Sequence, residues 1–346
     1  MLLPPLTNAA LLEKGPRRLF VGAYGFEDRA LGWLDFQKKN PGTLTRALLV
    51  RYKQPKGMNR TEETRTVLKS LGVKRLIDVS YDLESGIPFE YLLDDAIMKA
   101  HQDGVDEVVI DTSAMTKFAI LLSIVKCAAF KCPVRLVYSE AEHYAPTKKQ
   151  YITSKRKLEL LARFPSLGVR TILRAICLSS IRMQGQPVNL VAFTSFNEQL
   201  VSHLIGTLNP HRLVFINGRP PRPDYSWREK ATQEIHAKLI DEYSRDNPLS
   251  SSGALTRVTS TLDYRETTRE VMEIYNCHGL YERIICAATG SKMQTIGLAL
   301  SKLQCPDIHI EYPTPDSYYV KGLSTGVRQV HEVCFRNLHA FHESTR

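Results

Sequence analysis

Two lysines occupy matching places in this chain, each at a corner where an apolar strand would hand over to a helix. Lys117 closes the stretch Asp111-Thr112-Ser113-Ala114-Met115-Thr116-Lys117, and Lys292 closes Cys286-Ala287-Ala288-Thr289-Gly290-Ser291-Lys292. Such a corner suits a phosphate. The first backbone N–H groups of a helix have no partner within it, and the helix dipole adds partial positive charge. Thr112, Ser113 and Ala114 in one corner, and Ala288, Thr289 and Gly290 in the other, are small enough to let an anion reach the backbone. Hydroxyls of Ser113, Thr116, Thr289 and Ser291 can donate to phosphate oxygens, and the lysines bring full charge. A plainer explanation competes, since Ser and Thr before a helix commonly serve as N-caps. It leaves the lysines unexplained, because a cation at a helix start opposes the dipole, and here it does so twice.

In an open parallel sheet, ligands lie beyond the carboxyl ends of the strands, so the neighbouring turns count as well. One such turn runs Gly22, Ala23, Tyr24, Gly25, Phe26, Glu27, Asp28, Arg29, and its counterpart runs Thr194, Ser195, Phe196, Asn197, Glu198, Gln199. Tyr24 is a candidate for stacking on a base, Arg29 for pairing with phosphate, and Ser195 for lining the second corner. Phe26 and Phe196 read more simply as core residues, and Glu27 and Asp28 as favourable first-turn carboxylates. A further turn carries Ser139, Glu140, Glu142, His143 and Tyr144; its counterpart carries Tyr312, Thr314, Asp316, Ser317, Tyr318 and Tyr319. The tyrosines suit bases or an interface. His143 is a candidate general base, or an inert loop histidine.

The elements that must hold these turns recur in order. Residues 19–34 pair with 190–205, each an apolar run, a polar turn and an amphipathic helical pattern. Residues 46–55 pair with 211–220, and residues 106–140 with 281–313. From Phe26 to Lys117 is 91 residues, and from Phe196 to Lys292 is 96. Near-equal spacing over three elements predicts internal duplication. Between the anchors, 62–72, 88–104, 227–243 and 264–279 read as helices, while 74–81 and 254–262 read as strands. Residues 246–253 read as a polar loop, and 321–346 as a strand followed by a polar helical end. Strands alternating with helices predict α/β units with mainly parallel sheets covered on both faces. The expected organisation is two tandem Rossmann-like units, at 1–146 and 188–346, joined by a basic segment at 147–187.

Composition bounds the rest. The 346 residues are 43% hydrophobic and 24% charged, ordinary usage for a folded chain. No apolar run approaches the roughly 18 residues of a membrane span, and the start lacks the pattern of a signal peptide, so a cytoplasmic protein is expected. The seven cysteines form no CxxC pair, which argues against a disulfide framework or a zinc site. No GxGxxG, Walker lysine motif or metal cluster is present, so no cofactor is expected. The net charge of +10 favours an anionic partner, though charge alone also serves solubility.

At its two corners the chain resembles the CRISPR-associated Rossmann fold (CARF) family and that family's fused double form, the SAVED domain. The family turn approximates Asp or Asn, any residue, Ser or Thr, two glycines, Thr or Ser, then Lys. Asp111, Ser113, Thr116 and Lys117 match it without the glycines; Gly290, Ser291 and Lys292 match it without the acidic start. The resemblance covers roughly 17–146 and 188–320. It implies a receptor for a cyclic oligonucleotide, usually a cyclic oligoadenylate, or a related phosphorylated nucleotide, acting in prokaryotic antiviral defence. Family members commonly dimerise around one ring-shaped ligand, so a tandem chain would build that site in a cleft between its two units. The implied ligand-binding set is Asp111, Thr112, Ser113, Thr116, Lys117, Thr289, Gly290, Ser291 and Lys292, with Tyr24 and Ser195. Some members cleave their ligand by aligning a ribose 2′-hydroxyl against the next phosphate. Little chain follows the two units, and no RxxxxH pair stands in the tail. The implied roles are therefore a lone sensor, a ring-opening enzyme, or a subunit whose effector is a separate chain; a homo-oligomer fits each. The alternative is a nucleic-acid-binding or scaffold subunit of a defence complex. For it speaks the basic segment with Lys148, Lys149, Lys155, Arg156, Lys157, Arg163, Arg170 and Arg174.

Overall fold

Short apolar runs become the inner strands of two separate sheets, as strands buried on both faces require. The computed structural model describes residues 3–53, 59–83, 87–102, 104–153, 166–246, 254–318 and 323–343. The chain divides into two units, Met1–Tyr144 with Gly322–Arg346, and Ala145–Lys321.

The first unit holds strands β1 (Thr7–Asn8), β2 (Arg18–Ala23), β3 (Arg46–Tyr52), β4 (Arg75–Tyr81), β5 (Glu107–Asp111), β6 (Val134–Glu140) and β7 (His143–Tyr144). From the end of the chain it takes β16 (Ser324–Thr325) and β17 (Gln329–Phe335). Its helices are α1 (Gly32–Gln37), α2 (Thr61–Ser70), α3 (Phe89–Gln102), α4 (Lys117–Cys127) and α10 (Ala340–Glu343). The sheet order is β1-β17-β6-β5-β2-β3-β4. The five strands from β2 to β6 run parallel, and every residue of β2 and β5 is buried. Phe20 and Trp33 stack at 5.6 Å between ring centres in a core shared with Leu34, Leu49 and Leu68.

The second unit holds β8 (Ser166–Leu167), β9 (Thr171–Leu173), β10 (Val188–Phe193), β11 (Arg212–Arg219), β12 (Ala254–Ser260), β13 (Arg283–Ala287), β14 (His309–Thr314) and β15 (Ser317–Tyr318). Its helices are α5 (Lys148–Thr153), α6 (Gln199–Leu208), α7 (Trp227–Asp246), α8 (Tyr264–His278) and α9 (Lys292–Gln304). The sheet order is β12-β11-β10-β13-β14-β9. Leu190, Phe215 and Ile285 pack with Leu204 and Tyr243 in its core.

Both sheets have the order third, second, first, fourth, fifth among their parallel strands, then one antiparallel strand, beyond which the first sheet adds β1. The order reverses between β2 and β5, and between β10 and β13. These are the switch points at which an α/β sheet opens a crevice. No helix among the described residues is long and apolar enough to cross a membrane.

The boundaries differ from those expected of the sequence. The tail is not an extension of the second unit. β17 pairs antiparallel with β6, from Gln329 opposite Glu140 to Phe335 opposite Val134. It thereby satisfies the backbone groups that β6 would otherwise leave open at a sheet edge. The joining segment is likewise not separate: β9 pairs with β14, and β8 with β15. Of the loop expected at 246–253, Asp246 ends α7 and the remainder lies outside the described residues.

Candidate functional site

The turn after β5 is held by its own polar groups. Asp111 is 3% exposed, and its Oδ1 accepts the Ser113 N–H at 2.9 Å. Thr112 Oγ1 donates to the Val137 carbonyl at 2.9 Å, and Ser113 Oγ accepts the Ser139 N–H at 2.8 Å. Both bonds pin the turn to β6. Thr116 is the N-cap of α4: its Oγ1 accepts the Ala119 N–H at 3.2 Å, while its own N–H donates to the Tyr52 hydroxyl at 2.7 Å. Lys117 is the first residue of the helix and half-buried. Among the described residues its ammonium has no hydrogen-bond or ion-pair partner, and burial pushes it down to about 8. The loop after β2 packs directly on this turn. A Cβ on Gly25 would lie 2.8 Å from Ala114 Cβ and 2.9 Å from Ala30 Cβ, so glycine permits the approach.

The second unit reaches the same corner by other bonds. Thr289, 2% exposed, clasps the end of β10. Its Oγ1 donates to the Phe193 carbonyl at 2.6 Å and accepts the Phe193 N–H at 3.0 Å. Gly290 sits so close that a Cβ would lie 2.8 Å from Phe193 Cβ. Ser291 caps α9 through a reciprocal pair: its Oγ accepts the Gln294 N–H at 3.1 Å, and Gln294 Oε1 accepts the Ser291 N–H at 2.7 Å. Ser291 Oγ also donates to the Thr261 carbonyl at 2.9 Å. Lys292 then opens the helix, half-buried like its counterpart. Where the first corner has Asp111, this one has Cys286, whose thiol burial pushes up to about 12 and so keeps neutral.

The structure thus brings Asp111 to Lys117 together in one corner and Thr289 to Lys292 in the other. It turns most of their hydroxyls inward, so the caps foreseen as the plainer explanation are present. What each corner keeps besides its caps is a half-buried lysine at the first position of the helix. Ser195, in the loop after β10, is half-buried, its Oγ engaged with Asn197 of the same loop. Two further candidates are corrected. Tyr24 is fully buried at 0% exposure, and its hydroxyl donates to Asp78 at 2.8 Å and accepts from Arg65 at 2.9 Å. Its ring is part of the core, leaving no face on which a base could stack. Arg29 is buried and ion-paired to Glu27 at 2.9 Å, so its charge is neutralised within the fold. His143 is exposed, and Glu140 bonds instead to His331 at 3.1 Å. Of the basic segment, Arg174 is paired with buried Glu311 at 2.8 Å; Lys155, Arg156, Lys157 and Arg163, like Tyr319, lie outside the described residues. Among the described residues no group of three or more His, Cys, Asp or Glu could hold a metal ion.

Sequence reasoning missed two polar centres of the second unit. Arg228 lies over the Phe196 ring at 4.5 Å and the Trp227 ring at 5.4 Å, and it donates to the Pro146 and Ala145 carbonyls at 3.0 and 3.1 Å. It fastens the entry of the unit onto α7. The alternation of arginine and aromatic residues in 222–228 was the available signal. Lys302, 5% exposed, donates to the carbonyls of Pro306 and Ile308 at 2.6 and 2.8 Å and to Ser179 at 3.3 Å. It closes the carboxyl end of α9, and burial lowers it to about 8. Nothing in the pattern marks it apart from an ordinary helix lysine.

No protein-family model matches the chain, and no curated protein matches it. Among solved structures, it is similar to a Type III CRISPR defence DNA nuclease activated by cyclic oligoadenylate, at 11% identity and a TM-score of 0.46. The match covers 85% of this chain and 65% of the nuclease, so the chain spans about two thirds of that protein's length. It is also similar to the cytoplasmic domain of a prokaryotic cation chloride cotransporter, at 10% identity and a TM-score of 0.26, covering 88% and 99% of the two chains. A third match is Acinetobacter baumannii MurG, at 11% identity and a TM-score of 0.24, covering 86% of each.

Proposed function

We propose that each unit binds a phosphate-bearing nucleotide at the carboxyl edge of its sheet, and that the chain is a receptor for a cyclic oligonucleotide signal in antiviral defence. The observation that carries this reading is Lys117. It is a half-buried cation at a helix start with no protein partner among the described residues. Desolvation and the helix dipole both oppose its charge, and a bound anion would relieve both. Lys292 holds the equivalent place beside the other switch point. Three supports come from the chain itself: the repeated strand–turn–lysine corner, the net charge of +10, and the sequence resemblance to the CARF family at these turns. In this reading the lysines and the first backbone N–H groups of α4 and α9 receive the phosphate. Asp111, Thr112, Ser113, Thr116, Thr289, Gly290 and Ser291 shape and brace the corners. Ser195 lines the second corner, and the effector is a separate chain.

Thermal melting of the whole protein against a panel of linear and cyclic oligonucleotides tests it. A ligand at a hundred times its dissociation constant stabilises by about 2.7 kcal/mol, which is readily seen. Lys117→Ala and Lys292→Ala should each reduce that gain and together remove it. A panel without a stabilising member, or a gain untouched by both substitutions, would dismiss the proposal.

A further inference from the structure

The five residues Ser166-Leu167-Gly168-Val169-Arg170 and Ser324-Thr325-Gly326-Val327-Arg328 differ at one position, and they fold alike. Ser166 pairs with Tyr318 in β8–β15, and Ser324 pairs with Tyr144 in β16–β7. Gly168 and Gly326 have φ of +66° and +69°, and a Cβ at each would lie 3.0 Å from the Cβ of Asp316 and Glu142 respectively. Each five-residue stretch then leads into the antiparallel strand that closes the parallel set of a sheet, β9 on β14 and β17 on β6.

Each stretch also fastens the loop after the first strand of its sheet. The Gly326 N–H donates to Asp28 Oδ2 at 2.7 Å, and Ser324 Oγ donates to Glu27. In the other unit Asn197 Nδ2 donates to the Gly168 carbonyl at 3.2 Å, and the Gly168 N–H donates to Gln199 Oε1 at 2.9 Å. Chain order and unit membership are crossed. The stretch that follows the first seven strands of the first unit belongs to the second unit, and the stretch that ends the second half belongs to the first.

We infer that the two halves have reciprocally exchanged their closing strands, and that the exchange makes the second unit a folded insertion on which the first unit's switch-point corner depends. The first unit is discontinuous. Its β7 and β16 lie side by side, although roughly 180 residues separate them along the chain. A folded second unit delivers both ends to that pairing. An unfolded one turns the same residues into a flexible loop, whose closure costs the first unit on the order of a thousandfold in its folding equilibrium. The second unit is continuous, Ala145–Lys321, and meets no such penalty when the first opens. Glu27 and Asp28 keep their pairs with Arg29 and Arg60 in either case, but the clasp of Ser324 and Gly326 on them, which braces the loop packed on the Lys117 turn, carries that added cost whenever the second unit is unfolded.

The two tryptophans read this out on the full chain without any ligand. Trp33 is buried in the first unit and Trp227 half-buried in the second. Single-tryptophan variants, Trp227→Phe and Trp33→Phe, each report one unit. Conservative truncations in the second core, Ile285→Val and then Ile216→Val, are added in series, each lowering a melting temperature by a few degrees. The series is extended until the Trp227 transition meets that of Trp33. From there the two should fall together, with Trp227 never melting below Trp33. A Trp227 transition that passes beneath an unmoved Trp33 transition overturns the inference, and it would do so whether or not any nucleotide binds.

Discussion

Replacing Lys117 by methionine should make the unliganded protein more stable and the proposed nucleotide binding weaker. Burial lowers the lysine from its ordinary 10.5 to about 8. The folded state therefore disfavours the charged form that the unfolded chain keeps. At about 1.4 kcal/mol per pH unit, and discounted for the solvent that reaches a half-buried side chain, the strain on the fold is on the order of 1 to 3 kcal/mol. Its pH dependence follows from proton counting. Below about pH 8 the lysine is charged in both states and the penalty is complete. Between about 8 and 10.5 the unfolded chain binds more protons than the folded one, so this group's contribution to stability rises with pH. Lys117→Met retains the stem that packs in the corner and removes the charge. Chemical denaturation at pH 7 should show a variant at least as stable as the parent. The difference should shrink as pH climbs from about 8 towards 10.5. Because Lys302 is lowered to about 8 as well, the measurement is the difference between parent and variant, in which Lys302 cancels. The binding arm has the opposite sign. An anion in the corner favours the ammonium, so parent affinity should be flat below about pH 8 and fall up to tenfold per unit above it. A variant less stable than the parent at pH 7 would mean that the ammonium has a stabilising partner, and the argument for an anion site would be lost.

Other substitutions probe the frame around the corners. Gly290→Ala should cost the second unit on the order of 1 to 3 kcal/mol, because Phe193 Cβ stands 2.8 Å from the added carbon; calorimetry of the whole chain reads it. Thr289→Val leaves the Phe193 backbone groups without their buried partner and should cost about 1 to 3 kcal/mol, with nucleotide stabilisation falling at the same time. Arg228→Ala and Arg228→Lys should both destabilise, the lysine rescuing little. A point charge cannot reproduce a planar group that stacks on Phe196 while donating to two carbonyls. Denaturation followed at Trp227 decides that case, and full rescue by lysine would contradict it.

The sequence made the fold class readable because period and punctuation agreed. Runs such as Val108–Ile110 are too short for helices and too apolar for surface strands, and helical patterns between them end at residues such as Gly104, whose φ of +78° is a left-handed stop. The corners were readable for the same reason: a polar turn between two apolar runs has one natural place, at the sheet edge. The fate of the hydroxyls was not. Thr112 and Ser113 find their partners in β6, some 25 residues on, and Thr289 finds Phe193, 96 residues earlier. Local pattern says that a hydroxyl stands at a turn; only the sheet order says whether a neighbouring strand will take it. Tyr24 failed as a candidate on the same ground. Its loop position suggested a surface, while Arg65 and Asp78, 41 and 54 residues away, bury its hydroxyl.

The difference in unit boundaries has a deeper cause. Periodicity marks 327–335 as a strand and gives no information about which sheet it joins. Contiguity made the second unit the natural host. An antiparallel strand, however, can come from any part of the chain that reaches an open edge, and the edge it takes is that of β6. What distinguishes the two hosts is a near-identity of five residues, Ser-Leu-Gly-Val-Arg against Ser-Thr-Gly-Val-Arg, far shorter than the other repeats. Its glycine is the informative member. At φ near +67° a side chain would be strained and would press on an acidic residue's Cβ, so the same residue recurs where the same turn must be made. Two such turns, each seating a strand in the sheet of the opposite half, are what a symmetric exchange leaves in one chain. It follows that cutting this protein at the boundary which its sequence suggests would strip each sheet of its closing strand. A fragment ending near residue 187 would lack β17, and one beginning at 188 would lack β9.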